Sequence, residues 1–226
     1  MVGKALGRMI PGEVTYMDNR IGNVGETLSE KPDCVVLGVL DEKRQMEMME
    51  QLGQLQFEGE TIAYPRLFDA RIAVMRLLAP QIPDGAIAEL GVYKGDFACE
   101  LATAFPDREM HLYDSFEGFD GQFTDTSAEA VAERLPEARI HQGYFPDTFE
   151  EHKYAFLSLD ADLYEPTKEG LRLFWKCMVD NGVVMVHDYY SSQFPGVKKA
   201  VDEFCSEMNI LPFPVCDVHG TVVLRK

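Results

Sequence analysis

No stretch of this sequence approaches the ~18 consecutive apolar residues of a membrane-spanning helix. Its first residues, MVGKALGRMIPGEV, hold one weak apolar patch where a secretory leader would carry a continuous one. The expectation is therefore a cytoplasmic protein with no membrane partner. Cysteine is scarce and scattered. The five residues Cys34, Cys99, Cys177, Cys205 and Cys216 include no CxxC pair, which argues against a disulfide framework or a zinc cluster. Buried free thiols in a reducing compartment are the reading for them. Positive charge is also lacking: 21 basic residues stand against 38 acidic ones, for a net charge of -17, and no basic cluster occurs. Such a surface repels nucleic acid and anionic membranes. Internal repeats, low-complexity tracts and the GxGxxG of a dinucleotide loop are absent as well.

What the chain has is a regular alternation of short apolar runs and helical patterns. Residues 1–33 are mixed and glycine-rich and suggest no clear element. DCVVLGVL, residues 33–40, reads as a buried strand, and DEKRQMEMMEQLGQL after it as a helix with acidic residues at its start. This unit can add to the main sheet, cover one side of it or help form a homodimer, and the pattern does not choose. YPRLFDARIAVMRLLAPQI, residues 64–82, has helical spacing through Leu67, Ile72, Met75, Leu78 and Ile82, closed by Pro80 and Pro83. Strands are then expected at 86–90, 110–113, 139–142, 154–159, 183–186 and 221–224. Helices are expected at 96–105, 127–135, 167–178 and 197–208. This is the pattern of an α/β three-layer sandwich around a mostly parallel sheet. The reading divides the chain into an N-terminal extension, 1–60, and a main domain, 61–226.

Ligands of such sheets bind beyond the carboxyl ends of the strands, near the reversal in strand order. The polar residues predicted there are Glu89, Asp114, Asp160, Asp162, His187 and Asp188. AELGVYKGDFACELA, residues 88–102, sets Gly91 and Gly95 between a strand and a helix, where glycine permits a tight turn and close approach of a ligand. Glu89 disfavours a diphosphate there and suits a cofactor with an ammonium group. In HLYDSFEGF, Asp114 ends the second core strand and can accept hydrogen bonds from an adenosine ribose, as in either NAD or S-adenosylmethionine sites. Ser115 and Phe116 are candidates for the adenine pocket, and so are Gly143 and Tyr144 in IHQGYFPDTF. LSLDADLYEPT and VVMVHDYY bring Asp160, His187 and Asp188 to neighbouring strand ends. Two carboxylates and an imidazole can hold a divalent metal. Alternatively, His187 can remove a proton from an acceptor hydroxyl without one.

Taken together, AELGVYKGDFA, LYDSFEGF, GYFPDTF, LDADLYEPT and HDYYSSQFPGVKKAVDEF resemble the macrocin O-methyltransferase, or TylF-like, family of class I S-adenosylmethionine-dependent methyltransferases. The pieces keep their order from about residue 61 to the C-terminus. The resemblance implies a Rossmann-like seven-stranded sheet with its last strand antiparallel, and methyl transfer to a hydroxyl of a small hydroxylated or sugar-containing acceptor. It implies that Glu89, Gly91 and Tyr93 surround the amino acid part of the cofactor. Asp114 would hold the ribose, and Gly143 and Tyr144 would approach adenine. From its strand end, Asp160 can also orient the cofactor's sulfonium end or, like His187, accept the substrate proton. The family's metal carboxylates map to Asp160 and to the pair His187 and Asp188. His187 stands where the family commonly has aspartate, which removes an oxygen ligand of the kind magnesium prefers. An NAD-dependent oxidoreductase and a non-catalytic cofactor-binding or assembly module are the competing readings.

Overall fold

The computed structural model describes residues 34–37, 42–63, 70–217 and 220–226. The chain divides into two compact units, Met1–Asp69 and Ala70–Lys226. In the first, β1 (Cys34–Leu37) and β2 (Glu60–Ala63) pair in parallel as a two-stranded sheet of their own, with α1 (Glu42–Gln54) between them in sequence. Val35 and Leu52 are buried there against Met48 and Phe57. The strand expected at 33–40 is present over its described part, and its remainder lies outside the described residues.

The second unit opens with α2 (Ala70–Leu78). The expected helix over 64–82 is shorter at its C-terminal end, because Pro80 has no N–H to continue the ladder and the chain tightens into a 3-10 turn at Ala79–Gln81. Residues 64–69 of that expectation lie outside the described set. There follow β3 (Ala86–Leu90), α3 (Asp96–Ala104), β4 (Met110–Asp114), α4 (Ala128–Arg134), β5 (Arg139–Gln142), β6 (Tyr154–Leu159), α5 (Tyr164–Cys177), β7 (Met178–Val186), α6 (Pro195–Met208), β8 (Phe213–Pro214) and β9 (Val222–Arg225). Seven strands form one sheet in the order β5-β4-β3-β6-β7-β9-β8. Its β3, β4, β5, β6 and β7 pair in parallel, and β9 runs antiparallel between β7 and β8. The chain winds outward from β3 through β4 to β5, then returns to lay β6 on the other side of β3. That reversal opens a crevice above the ends of β3 and β6.

Side-chain parity along the strands builds two cores. Ala88, Leu90, Tyr113, Leu157, Leu159, Val184 and Val186 point to the face covered by α5 and α6, where they meet Leu171, Phe174, Val197 and Val201. Ile87, Met110, Leu112, Phe156, Val183 and Met185 point to the other face, against Met75, Phe97, Leu101 and Val131 of α2, α3 and α4. Strands buried on both sides read as continuous apolar runs, which is why they were legible.

The departures have local causes. Helix α5 begins at Tyr164 rather than 167, since Pro166 falls in its first turn, where a missing N–H costs nothing. Strand β7 extends back to Met178, but the pairing jumps from Tyr154↔Met178 to Phe156↔Val183, and the intervening polar VDNG hides the early pairing. The two-residue β8 was not anticipated; exposed Phe213 and a proline carry no strand signal. The thiols are only partly as expected. Cys205 is buried, Cys99 and Cys177 are half-buried, and Cys216 is exposed because it sits in the connection between β8 and β9. Among the described residues no helix is long and apolar enough to cross a membrane.

Phe174 is fully buried, with its ring 4.9 Å from Tyr154, 5.1 Å from Phe149, 5.5 Å from Tyr113 and 5.8 Å from Phe145. Truncation removes the hub of that cluster. Phe174→Ala is expected to lower unfolding free energy by ~3–5 kcal/mol in equilibrium denaturation. A loss under about 1 kcal/mol would show that the cluster does not hold the α5 face together.

Candidate active site

The site begins with a close approach. At the end of β3 the Gly91 N–H donates to the Tyr113 carbonyl, 2.9 Å, and the residue takes φ +87°. A Cβ at this position would lie 1.9 Å from the Asp160 carbonyl oxygen, so only glycine lets the turn after β3 pass over the end of β6. The next two amides, of Val92 and Tyr93, both donate to Asp114 Oδ2, at 2.7 and 2.8 Å. The Phe116 amide donates to Asp114 Oδ1 at 2.8 Å. Asp114 thus fastens the glycine turn to the end of β4. With about four lone-pair positions on a carboxylate, three such bonds leave it roughly one for a ligand. Tyr93, Asp162 and Asp188 are held at φ 51°, 56° and 58°, a left-handed conformation that side-chain-bearing residues seldom adopt outside functional sites.

Glu89 lies at the floor, 2% exposed. Its Oε1 accepts from the Ser158 hydroxyl at 3.4 Å, while its Oε2 is buried without a hydrogen-bond partner. Burial pushes this carboxyl well above the ordinary range, with the Arg71 charge acting in the opposite direction.

Backbone pairing carries one residue past each strand end: Asp160 N–H donates to the Leu90 carbonyl and His187 N–H to the Leu159 carbonyl. This sets Asp160 and His187 side by side. His187 Nδ1 is 2.9 Å from Asp160 Oδ1 and 3.1 Å from Asp188 Oδ2, and Arg71 donates to Asp160 Oδ2 at 2.9 Å. Burial disfavours the Asp160 charge, but the His187 and Arg71 charges outweigh it and hold the carboxyl far below its usual range. Burial likewise works against charge on His187, and Asp160 overcomes it, raising the imidazole to about 9. Asp162 is pushed up to about 8, first by burial and then by the Asp160 and Asp188 charges.

One cavity of about 790 Å³ is lined by Glu89, Gly91, Tyr93, Asp114, Ser115, Gly143, Tyr144, Asp160, Asp162, His187 and Asp188. Phe116, the other candidate for the adenine pocket, is instead buried in the core with Val92, Phe97 and Leu112. Ser115 is part of a turn, its Oγ accepting from the Glu117 amide, and Tyr144 is exposed with its hydroxyl on Glu117. Arg71 was missed. It lies on α2, outside every motif, with its guanidinium 4.0 Å from the Phe97 ring centroid, and a lone arginine on a helix announces nothing. Asp160, His187 and Asp188 offer ligand atoms within 4.8 Å of one another, a donor set for a divalent ion. Two positive groups already serve that set, however, the Arg71 guanidinium and the His187 proton. A metal would have to displace the second. The buried, unpartnered Glu89 oxygen is an acceptor of the kind that suits an ammonium group.

A family model described as a methyltransferase domain matches residues 88–189. The demethyldecarbamoylnovobiocin O-methyltransferase of Streptomyces niveus is 30% identical over 183 residues, covering 66% of this chain and 68% of that protein. The 8-demethyl-8-(2,3-dimethoxy-alpha-L-rhamnosyl)-tetracenomycin-C 4'-O-methyltransferase of Streptomyces olivaceus is 26% identical over 195 residues, covering 72% and 73%. The solved O-methyltransferase NovP superposes with a TM-score of 0.58 at 26% identity, over 70% of this chain and 79% of that one. Among the readings open from the sequence, these similarities favour neither the dehydrogenase nor the non-catalytic module. The cavity at the switch point, its glycine turn and its acidic floor are those of an enzyme, and the chain belongs to the S-adenosylmethionine-dependent methyltransferase family.

Proposed function

We propose that this protein methylates a hydroxyl oxygen of a small acceptor, a sugar-bearing metabolite of the kind handled by macrocin O-methyltransferase (TylF-like) enzymes. The observation that carries the reading is Glu89, whose buried Oε2 lacks a partner in the cavity floor. A buried acceptor without a donor costs ~1–3 kcal/mol, and a ligand ammonium relieves that cost. The hydroxylated acceptors of the curated relatives support the oxygen specificity. The free thiols Cys99, Cys177, Cys205 and Cys216 among the described residues support a reducing, cytoplasmic home.

S-adenosylmethionine, when bound, supplies an electrophilic methyl group on a sulfonium that departs as a neutral thioether. The chain's own residues do the rest. Glu89 holds the ammonium, the remaining Asp114 lone pair accepts from the ribose, and Gly143 with Tyr144 flanks the adenine. As the acceptor oxygen bonds to the methyl carbon and the carbon–sulfur bond breaks, the hydroxyl proton must leave. His187 is held at Nδ1 by Asp160 and Asp188, so the proton it takes is received at Nε2. By holding the acceptor hydroxyl beside the methyl group, the cavity would lower the barrier through positioning. Arg71 and His187 fill the charge-balancing place beside Asp160, so the reaction is assigned to the protein's own groups rather than to magnesium.

Three outcomes test this. Glu89→Gln is expected to weaken S-adenosylhomocysteine binding by about tenfold or more in isothermal titration, the loss of one charged hydrogen bond; unchanged affinity would remove Glu89 from the cofactor site. Proton acceptance requires neutral His187, and its pKa is raised to about 9. The methyl-transfer rate should therefore climb with pH and level off above that value, with His187→Ala slower and without the climb. A flat wild-type profile would rule out His187 as the proton acceptor. The stabilising imidazolium pair runs oppositely: it is complete below the unfolded histidine value of about 6.5 and fades as pH rises through about 9. Added magnesium is expected to change the rate less than about twofold, because the donor set includes a nitrogen that this ion disfavours; a large activation would restore the metal to the site.

A further inference from the structure

Three of the five histidines, His111, His141 and His152, meet at one place with Glu109 and Glu150, well before the strand ends that carry the active site. His111 is on β4, three residues before Asp114. His141 is opposite Tyr113 on edge strand β5, and His152 precedes β6. The His111 and His141 rings stack 5.1 Å apart, and His152 lies 4.2 Å from His111.

The contacts form a chain that runs from carboxylate to carboxylate through two imidazoles. Glu109 Oε1 is 3.4 Å from His111 Nε2, His111 Nδ1 is 2.9 Å from His141 Nε2, and His141 Nδ1 is 3.7 Å from Glu150 Oε1. Two neutral imidazoles bring two N–H protons to three gaps. Whichever tautomers are chosen, one gap sets two lone pairs against each other, imidazole against carboxylate or, when both N–H groups face the carboxylates, imidazole against imidazole. His111 is fully enclosed. Its Nε2 is buried without a hydrogen-bond partner. Arg139 lies 2.9 Å from Glu109, and His152 Nε2 lies 3.4 Å from Glu150 Oε2.

We infer that a divalent transition metal of the zinc class occupies the first gap, ligated by Glu109, His111 Nε2 and His152. These three offer ligand atoms within 4.8 Å of one another. Two imidazoles and a carboxylate are a nitrogen-rich set that suits zinc, cobalt or nickel rather than magnesium. With the ion there, both protons find places. His111 Nδ1–H donates to His141 Nε2, and His141 Nδ1–H donates to Glu150, an outer relay of the kind that fixes the tautomer of a ligating histidine. Neutral imidazoles are also the form that binds metal. Access is from the solvent side, where the Glu109 and His152 side chains are 43% and 27% exposed.

The site's place in the fold gives it a structural role. His141 and His152 bracket the segment that carries Gly143, Tyr144, Phe145 and Pro146 to the cavity wall. An ion joining β4 to the end of that segment closes the loop at its base. The chemistry of methyl transfer does not involve it, so this inference stands or fails apart from the proposed function.

The test is zinc binding to the full chain after chelator treatment and dialysis, followed by titration, metal counting and thermal unfolding, with cobalt(II) absorption reporting nitrogen ligation. Wild type is expected to take up one ion at this site and unfold at a higher temperature with zinc. His152→Ala, at a partly exposed position, should weaken binding by about tenfold or more and cancel the thermal shift. Asp160→Asn combined with His187→Gln, which dismantles the other donor set, should leave both unchanged within about twofold. Failure of wild type to bind zinc, binding indifferent to His152→Ala, or binding lost in the Asp160 and His187 variant would each overturn the inference.

Discussion

The catalytic end of this molecule depends on one steric fact: the backbone of Gly91 lies against the carbonyl of Asp160, closer than any side chain would permit. That contact lets the turn after β3 fold across the end of β6 instead of skirting it. Glu89, Asp114 and Asp160 then face one volume from three adjacent strands. The turn is secured by amides rather than side chains, since Asp114 takes the N–H groups of Val92, Tyr93 and Phe116. A methyl donor needs placement to fractions of an ångström. Backbone anchored to a buried strand end provides it with little freedom to lose.

Gathering acids in one crevice has an electrostatic cost, and the chain answers each case differently. Asp160 stays ionised because Arg71 and His187 both touch it. Asp162 is pushed toward its neutral form by burial and by its two neighbouring aspartates, so it can donate a hydrogen bond near neutral pH. Glu89 is left with one oxygen unserved. The three carboxyls have different environments and therefore different capacities, as a floor with one open acceptor, a fixed counter-charge and a neutral wall.

Much of the architecture was legible because the information is periodic. Apolar runs at 86–90 and 154–159 and the polar residue ending each strand located the sheet and the cavity rim. What escaped detection is not periodic. Arg71 reaches Asp160 across 89 residues of sequence from a helix with no motif. β8 is too short to alternate, and the VDNG interruption in β7 reads as a turn. The double duty of Asp114 was also invisible. Its position at a strand end suggested a ligand, and only the coordinates reveal that three amides reach it first.

The same distinction explains why the acceptor is not written in the pattern. The cofactor half of the cavity stands on strand ends and the glycine turn. The opposite wall comes from irregular segments, with Phe119 and Phe123 from one and Gln193 and Phe194 from another. Those segments touch through Gln193 Nε2 and Gln122 Oε1 at 3.3 Å and through the Phe119 and Phe194 rings, 6.2 Å apart. Neither contact recurs with a strand or helix period, and neither is buried deeply enough to demand a particular residue. Loops of this kind can change shape and polarity without disturbing β3 or β6. On the proposed function, acceptor choice would therefore reside where the fold constrains the sequence least, and methyl donation where it constrains it most.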